Sequence, residues 1–302
     1  MRRTILAAAT NREIQGFVRR HGMGLGAARF VGGETLDDVV PVLRRLNEQG
    51  LLTNTTLLGE GVLDRTAAEA VATTYEEILQ RIADEQLQTN VALKLTHLGL
   101  DVDEELAYEN VRRVVARAGE LGNFVRIDME DSPRVDATLR SYRRLRESGL
   151  DNVGTVLQSY LYRSEDDLRA LLPLAPNLRL VKGAYLEPPE VAYPQKQDVD
   201  AAYVRLLELC LREAAFTAVA THDEQLIEHA ISFADREGIP RERFQLQMLY
   251  GVRPRLQLSL VERGFSVLVA TPFGPDWYPY LMRRLAERPA NVTFFLRSAI
   301  SR

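Results

Sequence analysis

Short runs rich in Val, Ile, Leu and Phe recur eight times along this chain, and they end in polar side chains near Glu60, Lys94, Asp128, Gln158, Lys182, Thr221, Gln247 and Thr271. Each run is followed by a stretch with helical periodicity, so strand and helix alternate throughout. That alternation predicts an α/β fold, a (β/α)8 TIM-like barrel, in which all strand C-termini surround one mouth where barrel enzymes carry out their chemistry. The apolar stripes Val71, Tyr75, Ile78, Leu79, Ile82 and Ala107, Val111, Val114, Val115, Ala118 follow the i, i+3, i+4, i+7 rule of helices packed on one face. Gly122, Gly149, Gly238 and Gly264 stand where helices should stop and turn back into strands. Two helix starts are also expected, a capping box at Thr66-Ala67-Ala68-Glu69 and an N-cap with proline at Ser132-Pro133.

A chain of 302 residues, 46% hydrophobic and 26% charged, can bury one large core. The expected division is an N-terminal helical arm over residues 1–50, interrupted by glycines, and a barrel over residues 51–302. The string Gly22-Met23-Gly24-Leu25-Gly26 has no preceding strand and its third glycine is misplaced for a dinucleotide loop, so it reads as a connector. A net charge of −4 without a lysine-rich run argues against nucleic acid as a partner. Apolar stretches fall short of the roughly 18 residues that cross a bilayer, so the chain reads as neither secreted nor membrane-spanning. The lone Cys210 falls on the stripe Tyr203, Leu206, Leu207, Leu211 and reads as core.

Only three of the 38 basic residues are lysine, and two of them, Lys94 and Lys182, fall at strand ends. Arginine would serve wherever charge alone is wanted, so Lys94 points to a task needing a compact ammonium. Period-two alternation places Lys94 and Thr96 on one face, and Arg126, Asp128 and Glu130 on one face of the next strand. If both faces look into the lumen, Lys94 and Asp128 are neighbours that fix each other's charge. In the fifth strand, parity forbids Arg179 and Lys182 from facing the same way while the strand stays regular. Gly183 would let a bulky ligand approach the backbone there. Gln158, Thr221 and His222 add hydrogen-bonding groups at the fourth and sixth strand ends. The proline-rich segment 184–198 is long for a barrel connection and reads as a lid or binding segment, with a solvated insertion as the alternative. On the last helix Tyr280, Arg283, Arg284 and Glu287 share a face that is either solvated, which the pattern alone favours, or caps a polar cavity, where paired guanidiniums suit a small carboxylate. No metal site is assigned.

Taken together, Leu93-Lys94-Leu95-Thr96, Ile127-Asp128-Met129-Glu130, Leu157-Gln158-Ser159-Tyr160, Arg179-Leu180-Val181-Lys182-Gly183-Ala184-Tyr185, Ala220-Thr221-His222 and Tyr280-Leu281-Met282-Arg283-Arg284-Leu285-Ala286-Glu287 resemble, in order and placement, the proline dehydrogenase family in its monofunctional bacterial form. The resemblance covers residues from about 50 to 290. It implies an FAD-dependent oxidation of L-proline to Δ1-pyrroline-5-carboxylate by hydride transfer to flavin N5, the first step of proline catabolism, with FAD held over the strand C-termini. It assigns cofactor contacts to Met129, Gln158, Arg179, Val181, Lys182, Gly183, Thr221 and His222. Glu287, which pairs with the arginines, is grouped with those contacts. The substrate carboxylate falls to Lys94, Arg283 and Arg284, and the substrate ring to Tyr185, Leu249 and Tyr280. Asp128 and Arg179 are the implied catalytic residues. Reoxidation by a membrane quinone, a cytoplasmic location and peripheral contact with the inner face of the membrane are implied as well. One departure is Ala270, where many relatives carry an aromatic residue at the end of the eighth strand, so the fit of the substrate ring differs there.

Two other readings of the same residues remain. A Schiff-base aldolase would use Lys94 or Lys182 as its nucleophile. A non-catalytic barrel would bind a small acid as a sensor.

Overall fold

The computed structural model describes residues 27–287, with side chains described as far as Met282. Eight parallel strands close into a barrel in sequence order, β1 pairing with both β2 and β8. The strands are β1 (Leu52–Leu57), β2 (Thr89–Leu93), β3 (Val125–Ile127), β4 (Val153–Gln158), β5 (Asn177–Val181), β6 (Phe216–Ala220), β7 (Phe244–Leu249) and β8 (Val267–Phe273). The expected barrel is therefore the observed one; β2 to β6 end at or just before the polar residue that marks them in the sequence, whereas β1 stops three residues short of Glu60 and β7 and β8 run two residues past Gln247 and Thr271.

Outside the strands run α1 (Leu36–Glu48), α2 (Arg65–Asp84), α3 (Glu104–Glu120), α4 (Val135–Glu147), α5 (Ser164–Leu171), α6 (Lys196–Glu213), α7 (Glu224–Glu237), α8 (Pro254–Glu262) and α9 (Trp277–Glu287). Their apolar stripes are the ones the periodicity marks: Tyr75, Ile78, Leu79 and Ile82 on α2, and Val111, Val114 and Val115 on α3, are buried against the strands. Cys210 is buried on α6, and burial pushes its thiol up to about 12, which leaves it a core residue rather than a nucleophile. Helix α1 shares this core through Val39, Leu43 and Leu46. The glycine string 22–26 lies outside the described residues. Among the described residues no helix is long and apolar enough to cross a membrane.

Gly122, Gly149, Gly238 and Gly264 all take positive φ, as turns back into strands require. The two expected helix starts are corrected. Helix α2 begins one residue before Thr66, and its cap is Asp64, whose carboxylate accepts from Ala67 N–H at 2.9 Å. A shorter-reaching aspartate upstream satisfies the free donors first. Ser132 opens a single 3-10 turn rather than capping α4, and both its N–H (2.7 Å) and its hydroxyl (2.6 Å) donate to the Glu187 carboxylate. The tertiary partner outbids the local cap. Conversely, a capping box that the sequence reading did not mark starts α1, where Thr35 and Asp38 bond reciprocally.

Candidate active site

The strand C-termini surround a cavity of about 910 Å³, at the upper end of the size range of small-molecule sites. Lys94, Asp128, Met129, Gln158, Arg179, Val181, Lys182, Gly183, Tyr185, Thr221, His222, Leu249 and Tyr280 all line it. Thus the described candidates, drawn from the ends of six strands, β2 to β7, and from α9, converge on one space. Arg283, Arg284 and Glu287 follow Tyr280 on α9, but their side chains lie outside the described residues.

The floor of the cavity is built on β3, β5 and β7. Arg179 points into the lumen, donating from Nη1 to Asp128 Oδ1 at 2.9 Å and from Nε to Gln247 Oε1 at 2.7 Å. Burial pulls the Arg179 guanidinium below its ordinary range, and the Asp128 charge opposes that shift. One layer deeper, Arg126 donates to the carbonyls of Thr155 (3.0 Å) and Asn177 (2.8 Å). Burial, helped by the charge of Arg179, brings Arg126 down to about 9. Room for its guanidinium exists because Gly154 has no side chain: a Cβ there would sit 2.3 Å from Nη1.

The expected Lys94–Asp128 pair is not what forms. Lys94 pairs with Glu60, from the loop after β1, while Asp128 pairs with Arg179. Alternation along a strand fixes which face a side chain takes, but partners are chosen by reach, and a loop carboxylate and a long guanidinium outreach the strand neighbour. Glu130, expected on the same face as Asp128, lies past the end of β3 and is buried. It accepts from Thr96 N–H (3.1 Å) and Thr96 Oγ1 (2.6 Å), tying the ends of β2 and β3 together beneath Lys94. Desolvation raises its carboxyl above the usual range.

The parity conflict in β5 is resolved by the strand's length. It ends at Val181, so Lys182 is released from alternation and reaches Asp200 Oδ1 at 2.6 Å and Asp223 Oδ2 at 3.3 Å on the rim. Gly183 has φ +114°, and a Cβ there would fall 2.4 Å from the Tyr160 ring. Its glycine is thus required by backbone conformation and by Tyr160, before any ligand is considered. The segment 184–195 is tied down: Tyr162 N–H donates to Val191 O, Tyr193 N–H to Tyr160 O, and Glu187 holds Ser132. In this conformation these three contacts hold the loop against the neighbouring strand ends.

On the opposite wall His222 Nε2 accepts from the Leu249 N–H at 2.9 Å, which places the ring proton on Nδ1. Arg253 Nη1 donates to the His222 carbonyl. Thr221 Oγ1 accepts from Asp223 N–H. Gln158 is buried, and its Oε1 has no hydrogen-bond partner among the described residues. Asn54 Oδ1, from β1, is in the same condition. Both residues line the cavity, and buried acceptors of this kind call for a donor on a ligand or a water. Asn54, Thr56, Glu60 and Gln247 were not marked as site residues; a polar run, Asn54-Thr55-Thr56, inside an otherwise apolar strand was the available signal for the first two.

An eight-stranded parallel barrel with cations, amides and a histidine converging on its C-terminal mouth has the architecture of the α/β-barrel enzymes. The sequence profile of the proline dehydrogenase family matches residues 39–297. Proline dehydrogenase 1 of Bacillus subtilis is 40% identical over 302 residues, covering 100% of both chains. Proline dehydrogenase 2 of the same species is 43% identical over 279 residues, 91% of each chain, and the Deinococcus radiodurans proline dehydrogenase is 40% identical over 99% of this chain and 97% of its own. The crystal structure of proline utilization A from Bdellovibrio bacteriovorus, inactivated by N-propargylglycine, superposes with a TM-score of 0.82 at 26% identity; it covers 89% of this chain, which spans 33% of that longer one. The chain belongs to the proline dehydrogenase family.

Proposed function

We propose that this chain oxidises L-proline to Δ1-pyrroline-5-carboxylate with FAD as its cofactor, the first step of proline catabolism. The observation that carries this reading is the convergence of Lys94, the Asp128–Arg179 pair, Gln158 and His222 on one cavity in a chain of this family. The residues fit a flavin. The cavity is large, Gln158 Oε1 is a buried acceptor in need of an N–H donor such as a flavin ring supplies, and Arg179 offers positive charge from below. FAD, when bound, accepts at N5 the hydride removed from C5 of proline.

In this reading Met129, Gln158, Arg179, Val181, Lys182, Gly183, Thr221 and His222 hold the cofactor. Lys94 with Arg283 and Arg284 pins the substrate carboxylate through charge-assisted hydrogen bonds, and Glu287 restrains the two arginines. Glu60 already neutralises Lys94, so an incoming carboxylate competes with it for the same ammonium. Tyr185, Leu249 and Tyr280 pack around the substrate ring, excluding water and fixing C5 for transfer. Positive charge around the amine lowers its pKa and favours the neutral, reactive form. Ala270, beside Asn54 on β1 and Leu249 on β7, leaves the ring pocket wider than an aromatic residue would. A quinone reoxidises the flavin, and the chain works in the cytoplasm with peripheral contact at the membrane.

The aldolase alternative is disfavoured because Lys94 and Lys182 are both engaged by carboxylates. An absorption spectrum after FAD reconstitution, followed by anaerobic addition of proline, tests the proposal. Flavin bands that bleach with proline support it. Absence of flavin bands, or a borohydride-trapped lysine adduct, refutes it.

A further inference from the structure

A line of buried amides runs up the lumen beneath the site. Gln245 Nε2 donates to Ser266 Oγ at 2.9 Å, Gln247 Nε2 donates to Gln245 Oε1 at 2.8 Å, and Gln247 Oε1 accepts from Arg179 Nε at 2.7 Å. Arg179 Nη1 then closes on Asp128. Gln245, Gln247 and Arg179 are each no more than 8% exposed.

The strands make this contact possible across a neighbour. Arg179 is registered against Ala218 on β6, and Ala218 and Ala220 are registered against Gln245 and Gln247 on β7. Two alanines on the intervening strand leave the lumen open, so an arginine from β5 reaches a glutamine from β7.

The direction of the line matters. An amide has a donating and an accepting end, and the wrong end would set N–H against N–H at the guanidinium. Because Gln247 spends its NH2 group on Gln245, its carbonyl oxygen is the end left for Arg179. We propose that Gln247 is a positioning residue: through this line of amides it holds the Arg179 guanidinium beneath the site, and thereby sets the reduction potential of the flavin. The inference rests on the FAD reading given above.

A cation held against a flavin favours its reduced, more negative form. Without Gln247 the Nε–H of Arg179 is buried and unsatisfied, so the guanidinium shifts to share more of its N–H groups with Asp128, its other partner among the described residues, and less of its charge is left for the flavin. Gln247→Met should weaken binding of reduced relative to oxidised FAD about tenfold, which lowers a two-electron midpoint by about 30 mV. The rate at saturating proline should fall, while KM for proline should change little. Gln245→Met leaves Gln247 in place but frees its amide to turn, so the same shift should appear in smaller size.

The experiment is a reductive titration of the FAD-reconstituted full chain and both variants, with thermal melting to verify folding. A lowered midpoint in folded Gln247→Met, echoed in Gln245→Met, supports the proposal. A wild-type midpoint in folded Gln247→Met overturns it, and if that variant does not fold, a wild-type midpoint in Gln245→Met does the same. A wild-type chain that takes up no flavin overturns the FAD reading, and this proposal with it.

Discussion

Ion pairs occur both on the outer ring of helices and at the mouth of the barrel, and the two sets differ in what surrounds them. On the ring, Arg113 grips Glu76 and Arg140 grips Glu104, each with two bonds of 2.8 Å. These groups stand in water: the Arg140 and Glu104 side chains are 54% and 41% exposed. Such pairs contribute only about 0.2–1 kcal/mol each, because solvent screens them and long side chains must be ordered to form them. At the mouth, the Arg179 side chain is 10% exposed, and its partner Asp128 faces the cavity. Similar distances therefore carry different meaning. The ring pairs stitch neighbouring helices, whereas the mouth pairs place their charges at the wall of the cavity.

The contrast breaks most sharply at Arg179. Arg179→Met strands Asp128 beside the cavity and removes a cation from it. A loss of roughly 3–5 kcal/mol in stability and at least about a hundredfold in kcat is expected, read by denaturant melts and steady-state kinetics. A near-wild-type kcat would place Arg179 with the ring arginines.

His97 gives the next largest effect. Its ring lies under Gly59, whose absent Cβ would fall 2.3 Å from Nε2, and meets Tyr75 edge-on. Burial first, and then the charge of Lys94, lowers its pKa from 6.5 to about 4. The unfolded chain therefore takes up a proton near pH 6.5 that the folded chain refuses until about pH 4. Stability present above pH 6.5 should be lost as pH falls through that window, by about 3 kcal/mol at 1.36 kcal/mol per unit. His97→Gln should flatten this part of the stability–pH curve, and an unchanged slope would assign the effect to other groups.

If Lys94, Arg283 and Arg284 hold the substrate carboxylate as proposed, Lys94→Met, Arg283→Met or Arg284→Met each removes a charge-assisted contact of roughly 1.5–3 kcal/mol. The concentration of proline giving half-maximal rate should rise at least about tenfold, with bound flavin nearly intact. Unchanged saturation kinetics would mean that these cations are solvated like those of the ring. The smallest effect belongs to Arg140→Met, which should cost less than about 1 kcal/mol and leave KM for proline unmoved.

Much of this arrangement was legible in the chain, for reasons that can be traced residue by residue. Strand ends were readable because a run of apolar residues must stop where the barrel meets solvent, and Lys94, Asp128, Gln158, Lys182 and Thr221 lie at those stops. The helix stripes were readable because burial repeats with the helical period. Pairings were not. Glu60 reaches Lys94 from a loop, and a loop carries no period from which its direction could be taken. Gln247 reaches Arg179 over β6, a contact between non-adjacent strands that depends on the smallness of Ala218 and Ala220. Gly183 looked like room for a ligand, yet its missing side chain is first room for Tyr160. Local pattern dictates face and position, whereas reach and volume, which pattern does not encode, decide who meets whom.

The loop after β5 is pinned at three points, by Glu187 to Ser132, by Val191 to Tyr162 and by Tyr193 to Tyr160. Ordering a segment costs about 1–2 kcal/mol of conformational entropy per residue. Here that loss is incurred once, when the chain folds, and is not charged again each time a ligand arrives. A ligand that meets residues 184–195 in this conformation therefore finds them already ordered, and its binding free energy is not reduced by arranging them.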